Sequence, residues 1–85
     1  MPVFTIIPTS DPAKLNLAIQ TKLGPNALQL PRGEWLASFE GTSQDLSNIL
    51  GITDGENGTA LVASISGYYG RAPTNIWEWI RANWK

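Results

Sequence analysis

The most ligand-like run in the chain is Asp54-Gly55-Glu56-Asn57-Gly58. Its acidic and amide oxygens, spaced by glycine, are what a calcium loop offers. Such a loop also needs a bidentate carboxylate at its twelfth position, and Ile65 stands there. The run reads as a plain loop, and no metal is assigned. Gly67-x-x-Gly70 lacks the spacing of a phosphate-cradling loop, and no Gly-Lys-Ser/Thr occurs. No other cofactor is indicated.

Nucleophilic chemistry fares no better. Several serines are present, but the chain has 0 His and 0 Cys, which removes His-dependent triads, thiol chemistry and zinc sites built on those residues. Lys14, Lys22 and Lys85 fall on expected helices, where a solvated lysine is the ordinary case. Glu34 and Glu40 stand at opposite ends of one expected strand, too far apart to share a proton. No convergent catalytic set is present, and the balance leans away from an enzyme.

Binding chemistry is richer. The run Arg32-Gly33-Glu34-Trp35-Leu36-Ala37-Ser38-Phe39 opens and closes like the base-stacking strand of an RNA-recognition module. Its two stacking positions hold Glu34 and Leu36, and Glu34 would repel phosphate. Trp35 and Phe39 share the opposite face, which reads as core, so nucleic acid is not favoured. Tyr68-Tyr69-Gly70-Arg71 places two aromatics and an arginine in one turn, a composition enriched in interface hot spots. Trp77, Trp79 and Trp84 crowd the last segment, with Trp79 off the main stripe.

Composition sharpens this picture. Six basic residues face 7 acidic ones, a net charge of −1, so the chain lacks the basic excess of a general nucleic-acid binder. Charged residues are 15% of the chain, against about 25% in average domains. A surface so poor in charge is weakly defended against association. The longest apolar run spans residues 60–63, far below the ~18 residues a membrane helix needs. With no signal-like pattern at the start, no membrane is expected and a cytoplasmic location is the default expectation.

The elements that must position these residues follow from spacing. Residues 3–7 are apolar on both faces and β-branched, a buried strand stopped by Pro8. Asp11-Pro12 opens a helix whose stripe is Leu15, Ala18, Ile19 and Leu23, closed by Gly24-Pro25. Residues 27–30 and 34–40 read as a hairpin turned at Arg32-Gly33. Thr42 and Asp45 resemble a capping box, ahead of a stripe of Leu46, Ile49 and Leu50, with Gly51-Ile52 at the end. Residues 59–66 alternate as a fourth strand. Thr74 is expected to cap a last helix reaching Lys85, with Ile76, Trp77, Ile80 and Trp84 on one stripe.

The order β-α-β-β-α-β with an added helix predicts one α+β domain over residues 1–85: a ferredoxin-like sandwich with a four-stranded antiparallel sheet. Right-handed crossovers put the first and third strands at its centre. Helices on one face leave the other needing cover. Leu36, Ala60 and Val62 are assigned to that open face, together with either Phe4 and Ile6 or Val3 and Ile7.

Along nearly its whole length, the chain resembles the SinR-like small proteins, relatives of VapD toxins and of the small ferredoxin-like nuclease subunit of CRISPR adaptation. The resemblance rests on residues 4–23, Glu34-Trp35-Leu36, Thr42-Ser43-Gln44-Asp45-Leu46, Ile65-Ser66-Gly67 and the tryptophan-containing terminal helix. It implies the ferredoxin-like fold and dimerisation. The nuclease relatives carry an aspartate at the end of the first strand, where this chain has Ile7-Pro8-Thr9-Ser10. The expectation is therefore a non-enzymatic homodimer packed through the open sheet face, acting by protein contact. Leu36, Ala60, Val62, Tyr68, Tyr69, Arg71 and Trp79 are its candidate interface residues. The alternative is a metal-dependent nuclease or RNA-binding subunit using Asp11, Arg32 and Arg71.

Overall fold

The computed structural model describes residues 1–84; Lys85 lies outside the described residues. The chain runs β1 (Val3–Pro8), α1 (Ala13–Leu23), a 3₁₀ turn (Gly24–Asn26), β2 (Ala27–Gln29), β3 (Trp35–Ser38), α2 (Ser43–Ile49), β4 (Ala60–Ser64) and α3 (Thr74–Asn83). The four strands form one antiparallel sheet in the order β2-β3-β1-β4. This is the ferredoxin-like arrangement with a C-terminal helix. Among the described residues, no helix is long and apolar enough to cross a membrane.

β1 runs through Pro8 rather than stopping before it, and hydrogen-bond parity explains why. The Phe39 amide donates to the Pro2 carbonyl, and the Thr9 amide donates to the Thr59 carbonyl. Even-numbered β1 residues thus bond toward β3 and odd-numbered ones toward β4. The amide that Pro8 lacks would point past the start of β3, so its absence costs the ladder nothing. The β2–β3 hairpin closes with the Leu30 amide on the Glu34 carbonyl and the Gly33 amide on the Leu30 carbonyl. Gly33 sits at φ 105°, where a side chain would be strained.

Two apolar layers hold the sheet. On one face, Phe4, Ile6, Trp35 and Ala37 pack against Leu15, Ile19 and Leu23 of α1, Leu46 of α2, and Leu50 and Ile52 just beyond it. The buried Trp35 indole donates to Asn16 Oδ1 at 2.9 Å, which satisfies its N–H and ties β3 to α1. On the other face, Leu36 packs with Ile76 and Ile80 of α3, flanked by Leu28, Leu30, Ile65 and the three tryptophans 77, 79 and 84. The terminal helix therefore covers much of the face that sequence reading left open.

The helix ends carry their expected chemistry, with three adjustments. Thr42 and Asp45 form a reciprocal capping box. Asp11 accepts the Ala13 amide, but Pro12 holds the cap position of α1. Thr74 caps nothing: it is the first helical residue of α3, behind Pro73. Ile49 points outward, leaving Leu46 and Leu50 as the buried stripe of α2. Gly51, at φ 72°, ends α2, and a Cβ there would meet Asn57 Nδ2 at 2.5 Å. That amide nitrogen donates to the Leu50 carbonyl, fastening the 54–58 loop to the helix end.

With Ile80 buried against Leu36, Ile80→Ala leaves a cavity there and should cost about 2–4 kcal/mol. At this length that lowers the melting temperature by roughly 10–25 °C. A loss below ~0.5 kcal/mol in denaturant titration, the range of a surface substitution, would contradict the packing of α3 on Leu36.

Candidate functional site

Strand register decides which residues face where. Ile6 stands opposite Val62, and Pro8 opposite Ala60. Cross-strand partners share a face, so Ala60 and Val62 lie with Ile6 beneath α1 and α2, where both pack against the first core. Their assignment to the open face is corrected. Leu36 does lie on the second face, with Thr5 as its partner on β1, but α3 covers it. The residues that α3 leaves bare are Ile7 and Leu61, direct partners across β1 and β4. They are 38% and 57% exposed. Thr5 and Ala63, the next pair on that face, are half-buried.

This bare corner adjoins an unprotected sheet edge. β2, the other edge, has three residues, with Pro25 and Pro31 nearby in the chain. β4 has five, Ala60-Leu61-Val62-Ala63-Ser64, with no proline and no charge. Charge, proline and shortness are the usual guards of an edge, and β4 has none of them.

The aromatic loop lies at the opposite end of the sheet. Ser64 at the end of β4 pairs with Phe4 near the start of β1, so the 67–73 connection sits away from Ile7 and Pro8. Tyr68 stacks on Trp77 (centroids 5.9 Å apart) and meets Trp84 edge-on at 4.9 Å. Tyr69 is fully exposed. With Gly70 and Trp77 the two tyrosines line a shallow notch of about 260 Å³. Arg71 is exposed beside it. Trp79 is half-buried in the second core rather than free, and its buried Nε1 has no hydrogen-bond partner among the described residues.

The residues of the nuclease reading do not converge. Asp11 and Arg32 are exposed near the Pro8 end of β1, in the loop after β1 and in the β2–β3 turn. Arg71 belongs to the loop at the other end. The Asp11 carboxylate accepts the Ala13 amide at 3.1 Å. In the calcium-like loop, Asp54 Oδ1 accepts the Glu56 amide at 3.0 Å, a local turn bond. Among the described residues no group of three or more acidic side chains is placed to hold a metal. The base-stacking position Leu36 lies under α3.

The sequence offers Ile7 as one of two options for the open face and does not single out Leu61. The available signal was the alternation in 59–66, which groups Leu61 with Ala63 and Ile65. Alternation gives two faces without saying which is inner. No family model matches the chain, and no curated protein or solved structure matches it.

The two tyrosines should separate cleanly on substitution. Tyr68→Ala strips an aromatic partner from Trp77 and Trp84, and should cost about 1–2 kcal/mol with a red shift in tryptophan emission. Tyr69→Ala should stay within about 0.5 kcal/mol of the parent. Equal losses would contradict the stacked placement of Tyr68.

Proposed function

We propose that this protein is a non-enzymatic interaction module that self-associates as a homodimer and works by protein–protein contact. The observation that carries the proposal is the exposed Ile7–Leu61 pair. It is apolar, belongs to the sheet rather than a loop, and is left bare by α3. Leu36 contributes beneath α3 rather than at the contact. The low charge of the chain supports the same reading, since little on its surface opposes association. Exposed Tyr69 and Arg71 offer a second contact at the far end of the sheet, suited to a further protein partner.

A two-fold dimer is the commonest closed way for a chain to cover its own apolar surface. The available strip is small, so the expected affinity is at the weak end, roughly micromolar to millimolar. Light scattering should show the mass rising from 9.3 kDa toward twice that value as concentration rises from about 10 µM to about 1 mM. Leu61→Lys should suppress the rise while leaving the melting temperature within a few degrees. A constant monomer mass across the range would contradict self-association. Cleavage of labelled RNA or DNA with magnesium or manganese, abolished by Asp11→Asn, would contradict the non-enzymatic reading.

A further inference from the structure

We infer that the homodimer forms by antiparallel edge-to-edge pairing of β4 with β4 of a second copy, with the two-fold axis through Val62, giving one continuous eight-stranded sheet. The inference rests on the self-association proposed above and gives it a specific interface.

The hydrogen-bond parity of the sheet carries it. Thr59 gives its carbonyl to the Thr9 amide, and the Ile65 amide donates to the Val3 carbonyl. Along β4, odd-numbered residues therefore direct their backbone groups inward to β1. Ala60, Val62 and Ser64 direct theirs outward, where no strand follows in the sheet. An antiparallel copy centred on Val62 places Ala60 opposite Ser64 of the second copy, Val62 opposite Val62, and Ser64 opposite Ala60. Every outward donor and acceptor is then matched. A shift of the axis toward either end of β4 leaves part of the set unmatched.

The occupant is a second copy because the edge is compatible with itself. In a two-fold pair a charge near the axis meets its own copy, and residues 57–70 carry none. On the bare face Leu61 would stand across from Ala63 of the second copy, a large residue against a small one. The exposed Ile7, next to Leu61 on β1, continues the same apolar row one strand further from the axis in each copy. The paired length is about 17 Å at strand rise, consistent with weak, reversible association.

The chain's freedom from cysteine makes a crosslinking test clean. Leu61→Cys and Ala63→Cys are purified separately, mixed and oxidised. In the proposed register these positions form a non-hydrogen-bonded pair with Cα atoms about 4.5 Å apart, within disulfide reach. Mixing should give disulfide-linked dimer on the order of tenfold faster than either variant alone. Ser64→Pro removes an outward amide without breaking a bond to β1, and should weaken association of the otherwise native chain about tenfold or more. Leu61→Lys gives a second disruption through an exposed side chain, with melting curves confirming that both variants fold. A dimeric parent with no accelerated crosslink and no effect of Ser64→Pro overturns the β4 interface and leaves self-association standing. A parent that stays monomeric near 1 mM overturns both, and leaves the edge to a strand from another protein.

Discussion

The rest of the structure depends on one constraint: β1 is apolar on both faces and bonded on both edges. Phe4 and Ile6 face α1 and α2, while Val3, Thr5 and Ile7 face the other way. A strand of this kind requires a strand on each side and a layer over each face. β3 and β4 satisfy the edges. Two helices cover the first face, and a single ten-residue helix covers the second. That helix packs over Leu36 of β3 and Leu28 of β2, so the second face over β1 and β4 is left partly bare. The Ile7–Leu61 corner is that uncovered part.

α3 is held to the sheet by large side chains rather than by polar fastening. Ile76 and Ile80 are buried against Leu36, with tryptophans around them. One consequence is the Trp79 indole N–H, buried without a partner among the described residues, a burden of about 1–3 kcal/mol that the surrounding apolar contact must offset. The first face is arranged differently: there the equivalent indole, that of Trp35, is satisfied by Asn16. The two layers thus differ in polar satisfaction as well as in size.

Much of this fold was legible in the residues. The capping box at Thr42 and Asp45, the glycine ends at Gly24 and Gly51, the hairpin turn at Gly33 and the central place of β1 all follow from local chemistry, and local chemistry is what a sequence states most directly. The facing of β4 was not legible. In Ala60-Leu61-Val62-Ala63 both alternating sets are apolar, so periodicity separates them without ranking them. Only the pairing of Ile6 with Val62 and Ile7 with Leu61 fixes the choice, and pairing register is a long-range fact. The cover by α3 was partly legible, since Ile76 and Ile80 at helical spacing demand an apolar surface. Which surface they take depends on the length and path of the 65–73 connection. The candidate contact was therefore half read: the need for cover was visible, while the two residues left without it were not.

The proposed dimer requires β4 to be an open edge whose outward backbone groups pair with those of a second copy. Residue-resolved amide hydrogen exchange reads this directly. In dilute solution the Leu61, Ala63 and Ile65 amides, bonded to β1, should exchange slowly, while those of Val62 and Ser64 exchange fast. At high concentration Val62 and Ser64 should become protected as well. Protection of Val62 and Ser64 that is already complete in dilute solution, or that never changes with concentration, would contradict it.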